Sequence, residues 1–318
     1  MLGVVYAFVV IVDPWGALPL SPPLPRVPIS SNARFSFPTL ARDPAFDSAL
    51  IGTSTTRLLR PAVLDGLLGG RFVNLAMNAS AAWEEDRILA VFMRSHPQAR
   101  MVVIGMDMSW CTPMPDQQSG RAFPTWMYDE HRWAGYADMA TLYAVQEAYN
   151  QLTVMLGIKR LRYGLDGYTR FVPDDRFYDP ARVAAAFAAW PVVPNLPAPA
   201  MALPEPPALG MLSQRLAALG PQTRVILFFT PNHISQQGES GSAIAALWSG
   251  CKQAVVRRAK LRPGTMVIDF MVRSDVTRDT VNYWDPLHYR TQTADRIMAE
   301  LAEAVEDRPL RDGVVLVR

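Results

Sequence analysis

The chain has little of several things that would fix a function at sight. Its 318 residues include only two cysteines and four histidines, and 31 Lys and Arg nearly cancel 29 Asp and Glu to leave a formal charge of +2. A balance so close to neutral removes the electrostatic footprint of a nucleic-acid binder, so no nucleic-acid partner is expected. Cys111 and Cys251 lie far apart and form no metal or redox spacing, and the expectation is two buried free thiols rather than a disulfide. "DEH" at 129–131 is no metal motif, because adjacent residues diverge in direction. Neither a glycine-rich phosphate loop nor a nicotinamide fingerprint is present.

Long apolar runs are scarce too. Leu2 to Val12 carries no charge, but as a helix it spans roughly 17 Å against the roughly 30 Å of a bilayer core. No Lys or Arg precedes it, as a signal peptide would require. Two readings stay open: the second half of a membrane anchor that starts upstream of Met1, or an apolar strand or helix packed on the body. The first puts the body in a periplasmic or extracytoplasmic place, tethered to the inner membrane through its N-terminus.

Proline is what the chain has in plenty, 27 in all. Residues 13–45 and 191–207 are two proline-rich stretches. Proline fixes φ and lacks a donor, so the first reads as an extended tether or wrapping arm and not a core element. Between them, strand-like runs alternate with helical patterns: "FDSALIGT" (46–53), "RFVNLAMN" (71–78), "ARMVVIGMDM" (99–108), "TRVILFFTPN" (223–232) and "GTMVIDFMV" (264–272). These continuous apolar runs suit strands covered on both faces. The intervening helices are amphipathic, as in Ile244, Leu247, Trp248, Cys251 and Val255. The pattern predicts a three-layer α/β/α sandwich around a parallel sheet of about five strands, filling residues 46–318. The block at about 109–200 breaks the alternation and reads as an insertion that roofs the carboxyl ends of the strands, where ligands bind in such sheets. Its Trp126, Tyr128, Trp133, Tyr168 and Phe171 suit stacking on a sugar or packing of the insertion itself.

Chemistry collects at those strand ends. "IGTSTTR" leaves the first strand through Gly52 and presents Thr53 and Ser54; "NAS" (78–80) follows the second strand, Asp107 the third and His233 the fourth; "NYWDPLHYR" follows the fifth. Serine needs a base to take its proton, and the base needs a carboxylate to hold its tautomer. Asp285 and His288, three residues apart, can supply both from one loop. Ser54 would also stand at the start of a helix, whose free N–H groups favour a developing oxyanion.

"IGTS", "NLAMNAS", "VVIGMD" and "DPLH" together resemble the four spaced blocks of SGNH (GDSL-like) hydrolases and acyltransferases, above all the diverged branch associated with envelope polysaccharides. The resemblance spans about 46–305 apart from the insertion. It implies a flavodoxin-like fold, Ser54 as nucleophile, His288 as base, Asp285 as its partner, and Asn78 and Ala79 at the oxyanion hole. It further implies ester hydrolysis or acyl transfer on an O-acylated carbohydrate or other small ester, with no metal or organic cofactor. Three places depart from the family pattern: Thr53 replaces its aspartate, Ala79 its glycine, and Asp107 its asparagine. An ionised Asp107 cannot donate to an oxyanion, so it is expected to turn toward backbone N–H groups at the base of the insertion. The altered block keeps open a rival, a non-catalytic glycan-binding or scaffold protein. Arg57, Asp107 and His233 are the candidate substrate contacts; helix-surface solvation is the other reading of Arg57, and loop packing that of His233.

Overall fold

The computed structural model describes residues 1–112, 119–161, 163–201 and 204–318. Parts of the inserted block (113–118 and 162) and of the second proline-rich stretch (202–203) lie outside the described residues. Six strands form one sheet: β1 (Ser48–Ile51), β2 (Phe72–Asn74), β3 (Met101–Met106), β4 (Arg224–Phe229), β5 (Thr265–Asp269) and β6 (Val314–Val317), in the order β2-β1-β3-β4-β5-β6. The first five run parallel. Side chains alternate across the sheet. Ala49, Ile51, Val102, Ile104, Val225, Leu227 and Val267 face one side, and Leu50, Met101, Val103, Ile226, Phe228 and Ile268 the other. Helices Ala82–Ser95, Ala208–Ala218 and Ala243–Ala259 bury their apolar stripes on the first side, and Pro61–Leu68 and Thr291–Val305 on the second. Both faces are covered, which is why the strands read as unbroken apolar runs. The architecture is the expected α/β/α sandwich.

β6 is an addition to the expected five strands. It pairs antiparallel with β5 at the sheet edge, half-exposed, and follows the last helix without a crossover. A short edge strand carries neither signal that revealed the others.

The proline-rich arm is a correction. Trp15, Ala17 and Leu18 are core residues, and Ala33–Leu40 is a helix that buries Arg34 and Phe37. That helix contains Pro38, which cannot donate to the carbonyl of Arg34 four residues back. The hydroxyl of Tyr128, from the insertion, donates to that carbonyl instead at 2.9 Å. A tertiary donor replaces the missing one and lets the helix form inside a stretch that reads as a breaker.

Leu2–Val12 is a helix whose Val9 and Val12 are buried while Leu2, Val4 and Ile11 are exposed. Among the described residues no helix is long and apolar enough to cross a membrane. The cysteines are a second correction: Cys111 and Cys251 form a disulfide, their Cα atoms 5.5 Å apart. The bond joins the turn of helix after β3 to the helix between β4 and β5, two segments that pack on the same face of the sheet. Sequence separation hid that adjacency.

Candidate active site

β1 ends at Gly52, whose φ of +151° suits a residue without a side chain. A Cβ on Gly52 would stand 2.3 Å from Thr56 Oγ1, and one on Gly105 only 1.8 Å from the same atom. Thr56, fully buried, fills the gap the two glycines leave. Thr53 then begins a single helical turn, Ser54–Arg57, with Ser54 first and half-buried. The glycine and hydroxyl run is therefore a tight turn that lifts one serine to the edge of the sheet and buries its neighbours.

The second half of the site comes from the loop after β5. Asp285 Oδ1 accepts hydrogen bonds from the backbone N–H of Leu287 and of His288, both at 2.9 Å. Its Oδ2 lies 2.7 Å from His288 Nδ1, and His288 Nε2 lies 2.8 Å from Ser54 Oγ. With the carboxylate ionised, Nδ1 carries the ring proton and Nε2 is left to accept from the serine hydroxyl. Burial pushes the Asp285 carboxyl up, but the bonds from the His288 ring and from the two N–H groups outweigh it and hold it below its ordinary value.

Long-range bonds fix this loop. Trp284 N–H donates to His288 carbonyl at 2.8 Å, and the Tyr289 hydroxyl donates to the Thr55 carbonyl at 2.5 Å, tying base to nucleophile turn. His233 contributes from behind. Its N–H donates to the Pro286 carbonyl at 2.9 Å, and its ring packs edge-on against Phe187 and Tyr283. Loop packing, not substrate contact, is the role its position supports.

The turn after β2 lies beside the serine. Met77 N–H and Ser80 Oγ donate to the Gly52 carbonyl at 2.9 and 3.3 Å. Asn78 is half-buried and Ala79 exposed, with Ala79 at φ +50°. That left-handed backbone favours glycine, which accounts for the residue the family pattern has there. Among the described residues neither the Ser54 nor the Ala79 N–H donates to a protein acceptor. Asn78 Oδ1 accepts from Arg57 Nη1 at 3.3 Å, which leaves its Nδ2 as the side chain's donor.

Arg57 itself is a correction: it is neither solvated on a helix surface nor open to substrate, but buried, its guanidinium over the rings of Phe37 and Tyr163. Asp107 is also occupied. Its Oδ1 accepts from Ser109 N–H at 2.9 Å, which caps the turn that opens the insertion, and its Oδ2 accepts from the Thr53 hydroxyl. One of these donors is a backbone N–H at the base of the insertion, of the kind the sequence reading expects, and the other is a side-chain hydroxyl. Burial pushes its carboxyl up, against the bonds from Thr53 and Ser109. Glu85, fully buried behind it, is pushed well up by burial and by Asp107, although Trp110, Ser80 and Ser109 all donate to it.

Sequence reasoning missed Arg34. Its guanidinium, buried in the arm's helix, forms a two-pronged pair with Glu84, which is fully buried. It also donates to the carbonyls of Asn78 (3.4 Å) and Ala79 (3.3 Å) and to Ser119 Oγ (3.0 Å). A residue from the proline-rich arm thus holds the turn beside Ser54. The usable signal was a lone arginine among apolar residues in "NARFSF". The insertion reaches the site as well. Phe171 packs edge-on against the His288 ring with centroids 5.5 Å apart, and Asp166 carbonyl accepts from Asn74 N–H at 2.7 Å, seating the loop on the end of β2. Trp126 and Tyr128 are buried in the core, Trp133 is exposed and stacked on Tyr136, and Tyr168 is half-buried. Among the described residues no cluster of His, Cys, Asp or Glu could hold a metal ion.

No protein-family model matches the chain. No curated protein matches it either. Among solved structures, a Streptococcus pneumonia protein described as a platelet activating factor aligns with 86% of this chain and 90% of its own, at 10% identity and a TM-score of 0.43. A likeness that slight bears on neither family nor activity.

Proposed function

We propose that the chain is an SGNH-type serine ester hydrolase or O-acyltransferase that acts on an acylated carbohydrate of the cell envelope through an acyl-Ser54 intermediate. The observation that carries this reading is the unbroken Ser54–His288–Asp285 relay, 2.8 and 2.7 Å across its two links. In the proposed reaction His288 Nε2 takes the Ser54 proton as Oγ attacks the ester carbonyl carbon. The negative charge gathers on the carbonyl oxygen, where the Ser54 and Ala79 N–H groups and Asn78 Nδ2 are the available donors. His288 then gives its proton to the departing sugar oxygen, and the acyl group stays on Ser54. Water, or a second hydroxyl in a transferase, enters by the same base and restores the serine.

The extracytoplasmic setting is supported by the Cys111–Cys251 disulfide, since such bonds persist in oxidising compartments. The exposed apolar face of Leu2–Val12 supports tethering to a membrane. The second reading, a binding protein without turnover, draws on Asp107 in place of a donor. One assay separates the three readings: incubation with an acetylated oligosaccharide, with and without a hydroxylated acceptor. Free acetate alone indicates a hydrolase, and an acetylated acceptor a transferase. Binding with no acetyl loss, in wild type as in Ser54→Ala, would refute the enzymatic reading.

A further inference from the structure

The foot of the N-terminal helix holds a cavity of about 330 Å³ lined by Trp15, Arg26, Ser36, Arg42, Asp43 and Arg132, among others. The chain reverses here: Asp13 ends the helix at φ +40°, and its carboxylate is taken up by the N–H groups of Ala17 (3.2 Å) and Leu18 (3.0 Å). Arg26 spends Nε on the carbonyls of Val12 and Asp13, and Nη1 on those of Pro22 and Leu24. Its Nη2, buried, has no hydrogen-bond partner among the described residues. Arg42 donates to the carbonyls of Pro38, Met127 and Asp129. Arg132 is the informative one: half-buried, it lines the cavity and makes no side-chain hydrogen bond or ion pair among the described residues.

Three arginines therefore line one cavity, and only Asp43 among its lining residues is acidic. Burial disfavours the charge on all three, and Arg132 and Arg94 further repel that on Arg42, whose pKa is pushed down to about 10. Asp13 is the one carboxylate that offsets Arg26 and Arg132, and its oxygens already serve the turn. Gathering cations that backbone carbonyls only partly satisfy is costly unless an anion joins them.

We propose that this cavity binds a phosphate-type anion, at a site separate from Ser54. Arg132 supplies its free donors, and Arg26 and Arg42 the fixed positive wall. Guanidinium groups suit phosphate oxygens by geometry and by weak hydration. The phosphate has two candidate sources, a lipid headgroup and a soluble phosphorylated sugar or polyol. Leu2, Val4 and Ile11 are exposed on the helix that leads into the cavity wall, Leu20 on the chain just after that wall, and Trp133 next to Arg132 in the sequence, and such apolar side chains suit a lipid source.

The test uses the full, disulfide-bonded chain and its Arg132→Gln variant, chosen because the side chain serves no described structural bond. Calorimetric titration with inorganic phosphate and with glycerol phosphate is expected to show one site in wild type. Arg132→Gln is expected to weaken it about tenfold, the loss of roughly one charge-assisted hydrogen bond. Turnover of a small acetyl ester should stay unchanged, and thermal stability without anion should not fall, since the variant removes a repelling charge. In flotation assays, preference for phosphatidylglycerol over phosphatidylcholine vesicles that falls in Arg132→Gln and is competed by glycerol phosphate assigns the site to a lipid headgroup. Binding of the soluble anions with no such vesicle preference assigns it to a soluble phosphate. No binding of either anion at millimolar concentration, or equal binding by wild type and Arg132→Gln, overturns the proposal.

Discussion

Asp285 and Asp107 both reach the segment that carries Ser54, one through His288 and the other through Thr53. Their surroundings drive them in opposite directions. Asp285 receives three donors in a half-open loop and is held below its ordinary value, so it stays charged where an imidazolium must form. Asp107, half-buried beside the fully buried Glu85, is pushed up by desolvation. Its oxygens accept from Thr53 and Ser109, so the carboxyl is committed to the turn that opens the insertion. The same residue type thus serves a charged role on one side of the serine and a scaffolding role on the other, and desolvation against donor count decides which.

The sharpest way to break the comparison is to remove each side in turn. Ser54→Ala and His288→Ala should each lower kcat toward a small acetyl ester by roughly four orders of magnitude or more, and combining them should add little. Asp285→Asn should cost up to about 10⁴, because the amide favours the wrong imidazole tautomer. Asp107→Asn should change kcat by less than about tenfold, since a lost oxyanion donor is worth about 10²–10³ and this residue is not one. A fall of that larger size in Asp107→Asn, or a clear rise, would place Asp107 at the oxyanion after all; steady-state kinetics on the purified variants reads this directly.

Arg34 is the next largest effect. Arg34→Met strands the buried Glu84 carboxylate and should destabilise the fold by about 3–5 kcal/mol. Adding Glu84→Met should return much of that stability. Catalysis should stay impaired in the double variant, because the Arg34 guanidinium then no longer grips the Asn78 and Ala79 carbonyls. Urea denaturation and kinetics on the same samples separate the two outcomes.

The opposed shifts also give opposed pH dependences. Asp107 and Glu85 have raised folded values, so their contribution is fully present below the ordinary carboxylate value and lost as pH rises through the raised ones. Asp285 has a depressed folded value, so its contribution is present above its ordinary 3.8 and is lost as pH falls through the folded one. Asp107→Asn should therefore flatten the decline of stability as pH rises above 3.8, and Asp285→Asn the loss as pH falls below it. Denaturant midpoints measured across pH test the signs. The smallest effect is expected at Ala79. Ala79→Gly relieves a φ of +50° and should stabilise by up to about 1 kcal/mol with kcat nearly unchanged.

The legible parts were local. "GTS" and "DPLH" each put their reactive residues within one turn, and both follow apolar runs whose burial on two sides left no alternation to misread. The illegible parts depend on distant chain. Arg34 meets Ala79 only because an arm that looks extended folds into a helix, and that helix survives Pro38 through the Tyr128 hydroxyl. Cys111 and Cys251 meet only because two segments separated by 140 residues pack on one face. Asp107 was recognisable as a departure from a pattern, but its partner Thr53 is a second departure. The two substitutions make sense together, as hydroxyl donor and carboxyl acceptor.

The central claim is that Ser54 is a nucleophile primed by His288. Labelling with a fluorophosphonate probe, followed by intact mass and peptide mapping, tests it most directly. The account predicts one probe per wild-type chain, located on Ser54, absent in Ser54→Ala, slowed strongly in His288→Ala and nearly unchanged in Asp107→Asn. An unlabelled wild-type chain, or labelling at Ser54 that is indifferent to His288, would contradict it.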